Sequence, residues 1–231
     1  MASAPPDKIA IRDAATIILI REAAGTPRVL MGQRGAKAAF MPGKFVFPGG
    51  AVDPGDASIP LGAPLPAECH ARLTENAQAP GAIALAAAAI RELWEETGLA
   101  LGQPGPWPDA PADWQGFAAT GNRPDAAGLS FVFRAITPPG RPRRFDARFF
   151  LADAAHVAGD LDDFSRASDE LSHLQWVPLA DARSFNLPFI TEVVLAEITA
   201  RLPDFGPPPS VPFFKNGDEG SLFLRLGGSG L

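Results

Sequence analysis

The segment from Pro80 to Leu99 constrains this chain most, because its residues favour a single helix with two chemically different sides. The consecutive alanines at 86–89 have high helix propensity, Pro80 suits an N-terminal turn, and Gly98 suits a C-terminal cap. We therefore predict a helix over 80–97. At about 100° per residue, its apolar side is predicted to pack on a sheet, and that side carries Ile83, Ala87, Ile90 and Trp94.

The opposite side carries Glu92, Glu95 and Glu96, which fall within roughly 100° of one another. Carboxylates this close repel each other and destabilise the helix unless a cation or a basic partner neutralises them. Mg²⁺ prefers oxygen ligands, with water or phosphate in its remaining positions. The sequence therefore favours a metal site. A solvated acidic face is the alternative, and the Pro-Gly-Gly turn at 48–50, which ends the preceding strand, argues against it.

Short apolar and β-branched runs predict strands on both sides of this helix. The predicted strands are 14–20, 28–34, 45–47, 114–118, 129–134, 148–152 and 170–177. Further helices are predicted over 66–76 and 189–201, a proline-rich connection over 103–111, and an irregular tail from about 203 with a strand candidate at 221–226. This order fits an α/β (mixed α+β) fold in one domain over 1–231, a mixed sheet with helices on its faces.

Composition narrows the partners that the chain can have. Its net charge of −6 and pI near 5.1 give it no general attraction for nucleic acid or anionic membranes. The apolar run 14–20 is too short to span a bilayer, and the polar stretch Met1–Lys8 lacks the features of a signal peptide. Cys69 is the single cysteine, so no intramolecular disulfide can form. We therefore expect a cytoplasmic protein.

The helix and the turn together resemble the Nudix hydrolase family, whose box reads G-x5-E-x7-R-E-U-x-E-E-x-G-U, with U apolar. The match comprises Gly50 at one end and Arg91, Glu92, Leu93, Glu95, Glu96, Gly98 and Leu99 at the other, with the lead-in 47–50 also typical. Two features depart from the pattern. The chain has 27 residues more between Gly50 and Arg91, about 53–80, and Ile83 stands eight residues before Arg91, where the family has glutamate. Glu68 or Glu75 of the extra segment could replace that carboxylate, or the chain could lack it.

The resemblance implies a role for each residue of the site. Glu92, Glu95 and Glu96, with the Gly49 carbonyl, would bind Mg²⁺, with Mn²⁺ as a substitute. One of the glutamates, or Glu170, would help to deprotonate the attacking water. Arg91 would pair with Glu95 and brace the loop, with an ordinary surface ion pair as the alternative. The substrate phosphates would meet Gly50, Arg34 and Lys44, although solvated surface charges are an equal alternative for the two cations.

A narrower resemblance concerns the substrate. The strings at 40–53, 144–150, 169–170 and 176–179 are similar to those of Nudix proteins like the peroxisomal coenzyme A diphosphatase, which share a long insertion in the box. They imply hydrolysis of the diphosphate in coenzyme A or an acyl form of it. ADP-ribose, another nucleoside diphosphate derivative, or an inactive binding module are the alternatives, and Ile83 favours the last. The expected partner is a small nucleotide, and a homodimer is left open.

Overall fold

The computed structural model describes residues 10–36, 38, 40–77, 80–217 and 220–228, and the stretch Met1–Lys8 lies outside them. The strands in this part of the chain are β1 (Ile11–Arg21), β2 (Arg28–Arg34), β3 (Phe45–Val46), β4 (Gly49–Ala51), β5 (Ala100–Pro104), β6 (Asn122–Pro124), β7 (Ser130–Ile136), β8 (Arg144–Asp153), β9 (Val157–Ala158), β10 (Leu171–Pro178), β11 (Val211–Gly217) and β12 (Gly220–Leu226). The helices are α1 (Ala67–Thr74), α2 (Ala82–Thr97), α3 (Gln115–Ala118) and α4 (Phe189–Arg201).

Most of these strands belong to one mixed sheet, in the order β10-β2-β1-β8-β7-β11-β12. β3 pairs with β2, and β4 pairs with β1. The central strands β1 and β8 run parallel, in register from Ile11 opposite Arg144 to Ile20 opposite Asp153. A smaller sheet has the order β6-β5-β9. Because β4 extends the sheet beside β1, the turn at 48–50 is fixed against the centre of the fold.

The large sheet separates two hydrophobic cores. Successive side chains of a strand point to opposite faces, and in β1 Ile17 and Leu19 enter one core whereas Ile18 and Ile20 enter the other. Helices α1 and α2 cover the first face, and α4 covers the second. The predicted fold, a mixed sheet with helices on both faces, is therefore confirmed.

Helix α2 confirms the longest predicted helix with a small change at its start. Gly81 is the N-cap, so Pro80 precedes the first turn instead of forming it. Gly98 ends the helix with a φ of 75°, in the left-handed region that glycine adopts readily. Ile83 is 50% exposed, so the prediction that it packs on the sheet is wrong. The first turn is nevertheless packed, because Ala82, Ala84 and Leu85 are buried, so it contacts the core through a side that Ile83 does not share.

Two other predictions are corrected. The predicted strand 114–118 is a short 3₁₀ turn followed by α3, because Trp114 and Phe117 are buried three residues apart, the spacing of one helical side. The tail from 203 is not irregular throughout, since β11 and β12 form a hairpin that extends the large sheet. Proline cannot donate a backbone hydrogen bond within a sheet, so Pro212 argues against predicting a strand here. It lies just before Phe213 and Phe214, however, and these are the residues that pair with β7.

The segment between β4 and α2 is more than a surface loop. Its 3₁₀ turn Pro54–Ser58 is followed by α1, whose Cys69 and Leu73 are buried in the core on the α2 side. The thiol of Cys69 accepts a hydrogen bond from the Phe131 amide at 3.3 Å. The described part of this segment therefore packs directly on β7.

The longest helix of the described residues is α2, with 16 residues. None of the helices described has the length and apolar character that a bilayer crossing needs.

Candidate active site

The carboxylate end of α2 is held at both sides. Helix α2 contacts β1 and β4, and β4 carries Gly49 and Gly50 of the turn. At its C-terminus, the Gly98 amide donates to the Trp94 carbonyl at 2.7 Å. The Ser168 amide donates to the Glu95 carbonyl at 2.8 Å, which fixes the loop before β10 against the helix. Backbone contacts therefore set the position of the glutamates.

Arg91 is the centre of a buried ion-pair network. Its guanidinium donates from Nε to Asp56 Oδ1 at 3.0 Å and from Nη2 to Asp56 Oδ2 at 3.1 Å. Nη1 donates to Glu92 Oε1 at 2.9 Å and to Glu95 Oε2 at 3.1 Å, and Nη2 also reaches the Ala51 carbonyl at 3.0 Å. Arg91 is only 6% exposed. It therefore braces the segment after β4 against α2, and the alternative of an ordinary surface pair is wrong.

Asp56 is absent from the residues predicted above, although a signal for it exists in the sequence. Five residues separate it from Gly50, the same spacing as from glycine to glutamate in the Nudix box. Counting back from Arg91 leads to Ile83 instead, because the extra residues lie after Asp56. Asp56, and not Glu68 or Glu75, is the carboxylate of this segment that bonds to Arg91. Glu68 is exposed, and Glu75 accepts from the Gly227 amide at 2.7 Å.

The two glycines of the turn contact two of the glutamates. The Gly49 amide donates to Glu96 Oε2 at 2.8 Å. A Cβ atom on Gly49 would lie 2.6 Å from the Ala15 carbonyl oxygen, and one on Gly50 would lie 2.5 Å from Cδ of Glu92. Real Cβ contacts are essentially never this short. Gly49 therefore requires glycine, because the turn lies directly against the backbone of β1, whereas a side chain at Gly50 would have to displace the Glu92 carboxylate.

The glutamates retain protons more readily than ordinary carboxyl groups. Burial raises the pKa of Glu96 to about 8. The hydrogen bond from the Gly49 amide lowers this pKa, and the negative charge of Glu92 raises it further. Burial likewise raises the pKa of Glu92 to about 7, although Arg91 opposes it. The pKa of Glu95 is also raised by burial, with Arg91 opposing and the charge of Asp113 contributing. Negative charge in this cluster is therefore only partly compensated.

Arg91 itself stays charged. Burial favours a lower pKa for its guanidinium, but the hydrogen bonds to Asp56 and the charges of Glu92, Asp56 and Glu95 outweigh burial and raise the pKa. The network thus contains one fixed cation among several carboxylates.

Arg34 and Lys44, the two cations predicted to bind substrate phosphates, have different surroundings in the structure. Arg34 lies close enough to Glu96 for its charge to lower the pKa of that carboxyl, and its Nε is buried without a hydrogen-bond partner in the described chain. Lys44 is engaged elsewhere, since its Nζ donates to Asn186 Oδ1 at 2.6 Å and to the Leu187 carbonyl at 3.0 Å. Arg34 is thus available at the glutamate cluster, whereas Lys44 anchors the segment before α4.

Glu170 lies near the same cluster. It is exposed at the end of the loop before β10, and its charge raises the pKa of both Glu92 and Glu96. The loop that carries it is anchored by the Trp176 indole, which donates to the Leu161 carbonyl at 2.9 Å. The chain therefore presents a solvent-facing carboxylate opposite the buried ones.

The donor chemistry of the cluster fits a divalent cation, although the side chains do not yet converge. Among the described residues, no three His, Cys, Asp or Glu side chains are arranged closely enough to hold one ion. Each glutamate of the cluster uses one oxygen in the hydrogen bonds above, so Glu92 Oε2, Glu95 Oε1 and Glu96 Oε1 have no hydrogen-bond partner in the part of the chain described. Oxygen donors with uncompensated charge are what Mg²⁺ or Mn²⁺ prefers.

Comparison with known proteins supports a family assignment, although no family model matches the chain. A Caenorhabditis elegans protein described as "Putative nudix hydrolase 7" is 31% identical over 189 residues, 72% of this chain and 51% of the relative. The chain thus spans about half the length of that curated relative. The crystal structure of a NUDIX hydrolase from Alicyclobacillus acidocaldarius is 30% identical, with a TM-score of 0.62, over 84% of this chain and 93% of that one.

Fold and site together define a mixed-sheet protein with an acidic helix set against a glycine turn. The Alicyclobacillus structure shares this fold over nearly its whole length. The chain belongs to the Nudix hydrolase family.

Proposed function

We propose that this protein is a divalent-metal-dependent pyrophosphohydrolase that cleaves the diphosphate linkage of a nucleoside diphosphate derivative. The observation that carries the proposal is the cluster of Glu92, Glu95 and Glu96 beside the Gly49–Gly50 turn. Its carboxylates have raised pKa values and free oxygens, while a nearby cation, Arg34, has an unpartnered Nε. Such a site attracts a metal ion and, through it, the phosphates of a substrate.

The metal ligands in this proposal are Glu92, Glu95, Glu96 and the Gly49 carbonyl. In a strand, the amide and carbonyl of one residue point to the same side. The Gly49 amide points to Glu96 and away from β1, so we expect its carbonyl to face the cluster as well. Bound Mg²⁺, or Mn²⁺ in its place, would neutralise charge that develops on the diphosphate oxygens.

The chain's own groups would orient the substrate and move the proton. Arg34 would donate to a phosphate oxygen, since a guanidinium binds two oxygens at once. Glu170, or one glutamate of α2, would accept the proton of the attacking water. Arg91 would act as a positioning residue, because it fixes Glu92 and Glu95 and stays charged.

Coenzyme A or an acyl-CoA is our preferred substrate, on the strength of the sequence strings at 40–53 and 144–150. We interpret the residues after Asp56 as an insertion in the Nudix box. Loss of the box glutamate was the feature that favoured an inactive binding module. Asp56 supplies a carboxylate at the right spacing from Gly50 and pairs with Arg91, so that argument no longer applies. ADP-ribose and other nucleoside diphosphate derivatives remain the alternatives for the substrate.

A substrate panel tests the proposal directly. Coenzyme A, ADP-ribose and diadenosine polyphosphates would be incubated with the protein, with Mg²⁺ or with EDTA, and products separated by chromatography. We expect Mg²⁺-dependent cleavage of at least one compound and loss of turnover by about a thousandfold or more in Glu95→Gln and Glu96→Gln, since metal and electrostatic stabilisation supply several kcal/mol. Glu68→Gln, an exposed glutamate of α1, is the matched control. Full activity in both α2 variants, or in EDTA, would remove the proposal.

A further inference from the structure

A cavity of about 440 Å³ lies between the residues after Asp56 and the loop after β5. Its volume is within the range of small-molecule sites in proteins, about 300–1,000 Å³. Its walls combine rigid and aromatic residues with polar ones. They include Ser58, Pro60, Trp107, Asp109, Pro111 and Arg123.

The walls of the cavity are tied together by backbone bonds and ring contacts. The Gly62 amide donates to the Pro124 carbonyl at 2.7 Å, and the Gly105 amide donates to the Gly121 carbonyl at 2.9 Å. The rings of Trp107 and Trp114 lie 5.5 Å apart, centroid to centroid. The cavity is therefore largely formed before any ligand binds, which lowers the ordering cost of binding.

Each side of the cavity has a residue two positions along the chain from a carboxylate that interacts with the glutamate network. On one side, Ser58 follows Asp56, the partner of Arg91, in the same 3₁₀ turn. On the other side, Pro111 precedes Asp113, whose charge raises the pKa of Glu95. The two walls of the cavity are therefore continuous along the chain with Asp56, which holds the glutamate network, and with Asp113, which acts on Glu95.

Arg123 indicates what kind of group that end carries. It lines the cavity, and its Nε is buried without a hydrogen-bond partner among the residues described. No carboxylate of the described chain lies within ion-pair distance of it, so its charge is unmatched. A guanidinium in this state binds a phosphate group well, because it offers paired donors to two oxygens. Trp107 and the prolines offer apolar surface to a planar ring.

We propose that the cavity binds the nucleoside end of the substrate, with Arg123 binding a phosphate group on its ribose. The inference rests on the proposed pyrophosphohydrolase function and narrows its substrate class to nucleoside diphosphates that carry an additional phosphate on the sugar. It also gives the residues between Asp56 and α1 a function, because Ser58 and Pro60 form one wall.

Binding without turnover is the first test. Adenosine 3′,5′-bisphosphate and adenosine 5′-monophosphate would be titrated into the protein by calorimetry in EDTA. We expect the bisphosphate to bind at least about tenfold more tightly than the monophosphate, because hydrogen bonds to charged groups are stronger than those between neutral groups. In Arg123→Gln the ratio of the two dissociation constants should fall by a similar factor. Arg183→Gln, an exposed arginine beside the other core, is the control and should keep the ratio. Equal affinity of the two compounds for the unmodified protein overturns the inference.

Turnover is the second test and separates this inference from the proposed function. The ratio of kcat/KM for coenzyme A to that for 3′-dephospho-coenzyme A would be measured in the unmodified protein and in Arg123→Gln. A ratio of about ten or more that falls toward one in the variant supports the phosphate site. Cleavage of both compounds at a ratio that Arg123→Gln leaves unchanged overturns the site but keeps the hydrolase. Absence of cleavage in the whole substrate panel removes the hydrolase, whatever the titrations show.

Discussion

Arg91 and Asp56 form a bidentate ion pair between α2 and the 3₁₀ turn after β4, with N–O distances of 3.0 and 3.1 Å. Asp56 is 2% exposed, so solvent screens this pair little. The same guanidinium holds Glu92 and Glu95. The position of the glutamates therefore depends on Asp56, which lies 35 positions before Arg91 in the chain.

Asp56→Asn is expected to lower the free energy of unfolding by about 3 kcal/mol, because it removes the carboxylate that pairs with a buried guanidinium through two hydrogen bonds. Urea unfolding followed by circular dichroism measures the change. Asp53→Asn is the matched control, since its carboxylate is 59% exposed and 3.7 Å from Arg91, and it should cost less than about 1 kcal/mol. Equal losses in the two variants would show that the pair does not stabilise the fold.

Gly50→Ala is expected to lower kcat by about a hundredfold, because the new methyl group must displace the Glu92 carboxylate and small misplacements in active sites cost about this much. Steady-state kinetics with the best substrate of the panel measures it. Gly55→Ala is the control, since a Cβ there meets no atom within 4 Å. A variant at Gly50 with unchanged kcat would show that Glu92 can move without cost.

The parts of the fold that local pattern determines were predictable from the sequence. The end of α2 at Thr97 and both bounds of α4 follow from propensity, caps and periodicity, and β2 follows from its apolar run. The cluster of Glu92, Glu95 and Glu96 also follows from helical spacing alone. Such features depend on residues within one or two helical turns of each other, so the order of residues in a short segment is enough to predict them.

The rest depends on contacts between distant residues. Asp56 pairs with Arg91 across a long connecting segment, and the spacing from Gly50 is its sole local signal. Lys44 has the sequence context of a substrate cation, but Asn186 binds it after folding. Pro212 discourages a strand prediction, yet β11 pairs with β7 just beyond it. In each case the deciding partner is more than 30 residues away.

Arg34 and Lys44 should respond differently to substitution. Arg34→Gln is expected to raise KM about tenfold, because it removes a charged donor near Glu96, with little change in stability. Lys44→Met is expected to lower the free energy of unfolding by about 1–3 kcal/mol through its bonds to Asn186 and Leu187, with KM unchanged within a factor of about two. Kinetics and urea unfolding on both variants check the pair. The reverse pattern would assign the substrate phosphate to Lys44.

The raised pKa values of Glu92 and Glu96 predict how stability depends on pH without metal. The unfolded chain releases these protons near the ordinary value of 4.5, whereas the folded chain keeps them until about 7 and 8. Between these values the folded state binds more protons, so its stability is full below pH 4.5 and falls as pH rises to 8. A change of one in pKa corresponds to about 1.4 kcal/mol, so rises in pKa of about 2.5 and about 3.5 together set an upper bound of roughly 8 kcal/mol on the loss.

Urea unfolding at pH 5.5 and 8.5 in EDTA measures this loss, and Glu96→Gln isolates its cause. The glutamine cannot ionise, so the variant should be more stable than the unmodified protein at pH 8.5 and should lose less stability between the two pH values. Saturating Mg²⁺ should restore the unmodified protein at pH 8.5 and have less effect on the variant, because the ion binds the ionised carboxylates of the folded state. If both proteins lost the same stability in EDTA, ionisation of the buried Glu96 carboxyl would not destabilise the folded protein. The ionised Glu96 would then lack the uncompensated charge that, in our proposal, attracts the metal ion to this turn of α2.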